Sequence, residues 1–227
     1  MNLKRVGYCS RWIVCFAGIA LMALGVSLTT RANLGTTAIS AIPYVASLGF
    51  APSIGFFTGA LNVLLVIMQI VIMRGRFPRL QYLQIPVSCL FGLLIDFWMH
   101  MLPDAAPQSY LSSMLLLAAG IVALAVGVFV EVSADVVMMA GEGAVKTFSL
   151  VLKKDFGILK TGFDVTMVLL GVALSLILFR ELRGIGEGTI LSAVLVGFIL
   201  KGFHSIKTRL SRTPVAVSES ASQSSRR

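Results

Sequence analysis

Long predominantly apolar runs recur six times along this chain, at approximately 11–29, 54–73, 82–101, 112–130, 157–179 and 189–203, the first five of about twenty residues and the last shorter. A helix needs about 20 such residues to cross the hydrocarbon core of a bilayer. In that medium every backbone N–H and C=O must be satisfied internally, which restricts spanning segments to helices and closed barrels. These runs are continuously apolar rather than alternating, the pattern of helices and not of barrel strands. Charged residues make up 13% of the chain, well below the roughly 25% of a soluble domain. The chain therefore reads as an all-α polytopic membrane protein.

The runs fall into two copies. Asn33 precedes Asp135 by 102 positions (135 − 33), and Asn62 precedes Asp164 by the same offset (164 − 62). That offset also aligns Gly18 with Gly120, Gly25 with Gly127 and Gly55 with Gly157. After a three-residue insertion near position 180, Gly92 aligns with Gly197 at 105 (197 − 92). A fixed period marks repetition of one structural unit. The first membrane repeat covers 1–105 and the second 106–212. The Ser-rich stretch 213–227 lacks the apolar residues to bury a core and reads as a disordered cytoplasmic tail.

Charge sets the expected orientation. The net charge is +9, carried at the N-terminus (Lys4, Arg5, Arg11), in one loop (Arg74, Arg76, Arg79) and after the last run (Lys201, Lys207, Arg209, Arg212). In a membrane protein this distribution is the excess of Lys and Arg on cytoplasmic loops, and no nucleic-acid partner is implied. The stretch 12–28 is too long for a signal-peptide core and aligns with an internal segment, so it reads as a retained first span.

Between the first and second span of each copy lies a shorter mixed segment, 34–50 and 136–152. Each is too polar to face lipid and too apolar for a solvated loop. With a cytoplasmic N-terminus and both segments returning to the side they left, the Arg74–Arg79 loop, Lys153, Lys154 and the C-terminus all fall inside. Arg180 and Arg183 then fall outside, softened by Glu181 and Glu187. Full crossing of both segments would place Arg74, Arg76 and Arg79 outside, a larger violation. Six spans with two re-entrant or interfacial segments give each copy an odd number of spans. The second copy is then inverted relative to the first, the arrangement in which transporters place a polar site at the repeat interface. Both termini are expected in the cytoplasm, and the membrane is expected to be the bacterial cytoplasmic (inner) one.

The candidate solute- or ion-binding residues are Arg31, Asn33, Ser40, Asn62, Asp135, Glu142, Lys146 and Asp164. Asp164 lies about two turns inside its span, where an isolated charge costs several kcal/mol unless paired, protonated or hydrated. Lys160, one turn earlier, is placed to neutralise it. Asn62 serves either a site or an interhelical hydrogen bond. Arg31 either snorkels to the interface or offers a planar fork to an anion. Glu142 and Lys146, four apart, share a helix face and are placed to pair. Ser40 occupies the position in copy one that Glu142 holds in copy two. Glu131 meets Arg31 only if the fold brings the ends of their spans together. Gly55 and Gly59 form GxxxG, and Gly157 and Thr161 its counterpart, both suited to close helix contact.

No catalytic pattern is present. His100 and His204 are the two histidines, and there is no HExxH, GxSxG or phosphate-binding loop. Cys9, Cys15 and Cys89 include no CxxC and read as small hydrophobes. No enzyme activity, cofactor or metal is expected.

The run GIALMALGVSLTTRANLGTTAISAI, followed by SIGFFTGALNVLLVIMQIVI and FGLLIDF, resembles the YitT/YczE group of bacterial integral membrane proteins. The match centres on the turn Arg31-Ala32-Asn33-Leu34-Gly35 and on Gly141-Glu142, and covers roughly 15–203. Copy two reads Ser133-Ala134-Asp135-Val136-Val137, without the Leu-Gly. The resemblance implies a multi-span inner-membrane protein and little about substrate. The expected function is a small secondary transporter or permease for an unknown solute. The alternative is a non-transporting scaffold or accessory subunit that binds a partner protein. The bilayer and a small solute or ion are the expected partners, with homo-oligomerisation left open.

Overall fold

The computed structural model describes residues 8–103, 107–197 and 199. The helices are α1 (Tyr8–Arg31), α2 (Ala41–Gly49), α3 (Ile54–Met73), α4 (Gln84–Met101), α5 (Tyr110–Ala134), α6 (Ala140–Leu152), α7 (Phe156–Phe179) and α8 (Glu187–Gly197). Two 3-10 turns, Arg74–Arg76 and Arg79–Leu83, join α3 to α4. Among the described residues, five helical stretches are long and apolar enough to cross a membrane: Tyr8–Arg31, Ile54–Arg76, Arg79–Met101, Tyr110–Ala134 and Phe156–Phe179. The expected sixth span begins in α8. Residues 198 and 200–203 of that span, the basic residues from Lys201 to Arg212 and the tail 213–227 lie outside the described residues.

The helix ends follow from local chemistry. The Ser53 hydroxyl accepts from Phe56 N–H at 3.1 Å and starts α3. Ser109 and Ser112 form a reciprocal cap at the start of α5. The Asp155 carboxylate accepts from Gly157 and Ile158 N–H at 2.8 and 3.2 Å, starting α7. Such caps satisfy N–H groups that have no intrahelical partner. Asn33, just past α1, and Asp135, at the end of α5, both adopt left-handed backbone, with φ of 56° and 52°. Asn and Asp tolerate that conformation better than other residues with a Cβ. The 102-residue offset thus relates two identical helix endings.

Helices α1 and α5 form the centre of the bundle and run antiparallel. A Cβ placed on Gly18 would lie 2.7 Å from Glu131 N and 2.9 Å from Gly127 O. One on Gly25 would lie 2.5 Å from Leu124 N and 2.8 Å from Gly120 O. The backbones touch because these four positions lack side chains, and close approach of this kind drives helix association in lipid. The contacts Gly18–Gly127 and Gly25–Gly120 are exchanged by the 102-residue offset.

Helix α3 packs antiparallel on α4, where Gly55 and Gly92 each leave room for the other's backbone. Asp96 on α4 accepts from Gly55 N–H at 2.9 Å and from the Ser53 hydroxyl at 2.6 Å, placing a negative charge at the N-terminus of α3. Helix α4 lies beside α1, with Trp98 donating to Ala20 O at 3.2 Å and Ser27 to Ile95 O at 3.3 Å. Consequently α3 starts at the end of the bundle where α1 finishes. Gly157 and Thr161 depart from expectation: both are exposed among the described residues, so the GxxxG contact of copy one has no counterpart there.

The short segments hold α2 and α6, of 9 and 13 residues. At 1.5 Å per residue neither spans a bilayer. Each packs on the second span of the other copy. Helix α2 runs beside α7, from Ala41 against Gly171 to Gly49 against Leu178 and Phe179. Helix α6 runs beside α3, from Ala140 bound to Gln69 to Thr147 against the Met73 sulfur. Gly143 sits against Gln69, and this contact maps onto Ala41–Gly171 (143 − 41 and 171 − 69 are both 102). The Ile39 side chain lies over Gly141, its own counterpart at that offset. Large apolar side chains such as Leu93, Leu111, Ile158 and Ile177 stay more than 60% exposed on the outside, a surface suited to lipid.

Candidate functional site

The two short segments carry polar groups into the apolar bundle, and each copy satisfies them differently. In copy one the segment is hydroxyl-lined. Thr30 and Thr36 share a hydrogen bond of 3.1 Å, and Thr37 donates to Ser40 at 2.8 Å. Helix α8 closes this side: Thr36 N–H donates to the Thr189 hydroxyl at 3.1 Å, and Ser192 donates to Thr36 O at 3.2 Å. Gly188 N–H donates to Leu34 O at 2.8 Å. The glycines at 186 and 188 let that carbonyl approach, and Gly35 takes a φ of +117° that a side chain would strain.

In copy two the same position is held by a carboxylate and amides. Glu131, in the last turn of α5 and 1% exposed, accepts from Met139 N–H at 3.1 Å through Oε1. That N–H sits at the N-cap of α6. Gln69 donates to Ala140 O at 3.1 Å and to Gln84 Oε1 at 3.2 Å, and Gln84 donates to Gln81 at 2.6 Å. All of these turn around the first turn of α6, so both copies anchor the start of their short helix with buried polar side chains. Buried polar groups require such partners. Among the described residues, Glu131 Oε2 has none.

The expected site residues do not gather in one place. Ser40 and Asn62 are buried, 3% exposed each, Ser40 just before α2 and Asn62 on the inward stripe of α3. Glu142, half-buried in the first turn of α6, lies within electrostatic reach of Lys160 and Asp164 on α7. Lys160 and Asp164 are paired at 2.6 Å, as their spacing implied. Glu131 is in turn within reach of Glu142. The four groups form one track of charge across α5, α6 and α7.

Arg31, Asn33, Asp135 and Lys146 are elsewhere. Arg31 donates to Met99 O at 2.6 Å, satisfying an end carbonyl of α4. Asn33 is exposed and borders a cleft of about 480 Å³ shared with Tyr44, Leu48 and the 182–187 loop. Asp135 is 77% exposed and pairs with Arg11 at 3.4 Å; Arg11 also donates to Ala134 O at 2.9 Å and to Asp135 O. Because α1 and α5 are antiparallel, Asn33 and Asp135 lie at opposite ends of the bundle and do not form one midplane site. For the same reason Arg31 does not meet Glu131. Lys146 is exposed and makes no ion pair with Glu142 among the described residues, since Glu142 faces α7 instead.

Glu131, Gln69 and Gln84 are the residues that spacing alone undervalued. A signal existed for each: an ionisable or amide side chain inside a span-length apolar run, or directly at its end as Glu131 is, needs a partner or a role.

A model of a family of unknown function, DUF6198, matches residues 9–205. The chain is 32% identical over 194 residues to the uncharacterized membrane protein YczE of Bacillus subtilis (strain 168), covering 84% of each protein. No solved structure matches. The resemblance carried by Arg31–Gly35 and the glycine-rich first span is thereby borne out, and the chain belongs to this YczE-like family of multi-pass membrane proteins.

Proposed function

We propose that this protein is a small secondary permease of the bacterial cytoplasmic membrane, taking a polar solute or ion at the interface of two inverted three-span repeats. In this arrangement 32–53 and 135–155 are re-entrant. Each leaves one end of the bundle, dips beside the other copy's second span and returns to the same end. The observation that carries the proposal is the contact of Ile39 with Gly141. Two residues related by the repeat touch each other when they lie on the axis that relates the copies. Here that axis passes between the tips of α2 and α6, where Ser40 and Glu142 face the interior. Transporters with inverted repeats place their sites at such broken or half-length helices.

The orientation follows from the same packing. Arg11, the Arg74–Arg79 turns and Lys153–Lys154 come to one end, which the positive-inside bias assigns to the cytoplasm. The alternative of a scaffold docking through its small-residue faces is disfavoured, because Gly18, Gly25, Gly55, Gly120 and Gly127 are covered within the chain.

The test is flux. Purified protein in proteoliposomes is offered a defined mixture of amino acids, sugars, nucleosides and organic acids, with uptake read by mass spectrometry. Protein-dependent uptake of one class is expected, and loss of it in Gly141→Phe, which forces Ile39 and the tips apart. Folded protein with no flux for any class, or undiminished flux in that variant, overturns the proposal.

A further inference from the structure

Asp164 is the deepest acidic residue visible in the sequence, yet Lys160 already matches its charge at 2.6 Å. Among the described residues, Glu131 is a buried carboxylate with no cation paired to it. It is 1% exposed, one oxygen is committed to Met139 N–H, and Oε2 has no hydrogen-bond partner among the described residues. A second carboxylate, Glu142, stands within its electrostatic reach on the helix that Glu131 anchors. The other titratable or charged groups facing the pair are Cys15 on α1, within reach of Glu131, and Lys160 and Asp164 on α7, within reach of Glu142. Arg11, near the end of α5, is engaged by Ala134 and Asp135. Among the described residues, the lysine within reach of the pair is Lys160, and it is held by a third carboxylate.

We propose that Glu131 and Glu142 together bind one exchangeable proton, and that this proton is the coupling ion of the permease. An unpartnered oxygen in an apolar core is a costly anion and a serviceable carboxyl, and two carboxylates within electrostatic reach of each other oppose joint ionisation. Uptake adds one proton from water to a carboxylate oxygen; release returns it, and no other bond changes. Glu131 sits at the hinge between α5 and α6, so its charge state bears directly on the hydrogen bond to Met139 N–H. Glu142, half-buried, lies between Glu131 and the Lys160–Asp164 pair and is the path by which the proton exchanges. The coupling role rests on the permease proposal; the proton site does not.

The experiment is pH-difference infrared spectroscopy of the purified full-length protein in lipid, reading the carboxyl C=O band, with solute uptake measured in parallel under a proton gradient. The wild type is expected to show one band that appears and disappears with pH. Glu131→Gln, which keeps an oxygen for Met139 N–H, should remove it, Glu142→Gln should shift or remove it, and Asp164→Asn should leave it. A band unaffected by both glutamate variants, or removed by Asp164→Asn, overturns the assignment. A titrating band without solute uptake sinks the permease and leaves the proton site standing. Uptake indifferent to the gradient, without a band, does the reverse.

Discussion

Placing a methyl group at Gly25 probes the centre of the bundle. A Cβ there lies 2.5 Å from Leu124 N and 2.8 Å from both Gly120 O and Leu124 Cα, all backbone atoms of α5. Ordinary carbon contacts sit near 3.5–4.0 Å, so α1 and α5 must part by about 1 Å. Overpacking of this kind costs about 1–3 kcal/mol. Alanine recovers about 0.5–1 kcal/mol of helix propensity over glycine, which, at the middle of each range, leaves a net loss of about 1 kcal/mol. At about 2–4 °C per kcal/mol for a chain of this size, Gly25→Ala should lower the midpoint of thermal unfolding by roughly 2–4 °C. Gly120→Ala meets the same contact from α5, with Thr29 N at 2.8 Å, and should cost a similar amount. Gly162→Ala on α7 meets nothing within 4 Å and should be neutral or stabilising. The assay is intrinsic fluorescence in detergent, reported by Trp12 and Trp98. Equal midpoints for Gly25→Ala, Gly162→Ala and the wild type would refute the α1–α5 contact.

Other perturbations reach the short segments. Gln69→Leu strips Ala140 O and Gln84 Oε1 of their donor and should destabilise by about 1–3 kcal/mol, the usual cost of an orphaned buried polar group; a stability equal to wild type contradicts that network. Arg11→Ala frees the end carbonyls of α5 and breaks a largely exposed ion pair, so a loss of about 1 kcal/mol or less is expected in chemical unfolding. In a chain with Cys9, Cys15 and Cys89 replaced by alanine, Ala51→Cys and Lys153→Cys should label from opposite sides of the membrane with an impermeant maleimide. Labelling of both from one side contradicts the inversion.

The spans were legible because hydrocarbon demands about twenty apolar residues, a rule that leaves little freedom in where helices such as 54–73 fall. The close helix crossing was legible because a glycine there tolerates no substitute without moving backbone, so Gly18, Gly25, Gly120 and Gly127 stand out by their spacing. The site was legible only in part. Equal offsets align Asn33 with Asp135, and because α1 and α5 run antiparallel the two lie at opposite ends rather than together. Both turned out to terminate helices through left-handed backbone. The pairing of Lys160 with Asp164 followed from local helix geometry. Glu142 turning toward α7 instead of Lys146, and Glu131 anchoring α6, depend on how α6 docks across the repeat boundary, and spacing within one helix carries no information about that.

The meeting of the two short segments inside the bundle is the central claim, and a cross-link tests it most directly. Ile39→Cys and Gly141→Cys are combined in the cysteine-free chain with a protease site between α4 and α5. The Ile39 Cδ1 and Cγ1 atoms lie 2.7 and 3.9 Å from a Cβ placed on Gly141, which brings the two positions close to the separation a disulfide bridges, about 3.5–4.5 Å between Cβ atoms. After mild oxidation and cleavage, the two halves are expected to stay joined until a reductant is added. Halves that separate without reductant, in protein whose thermal unfolding midpoint matches that of the cysteine-free parent, would contradict the meeting of the tips.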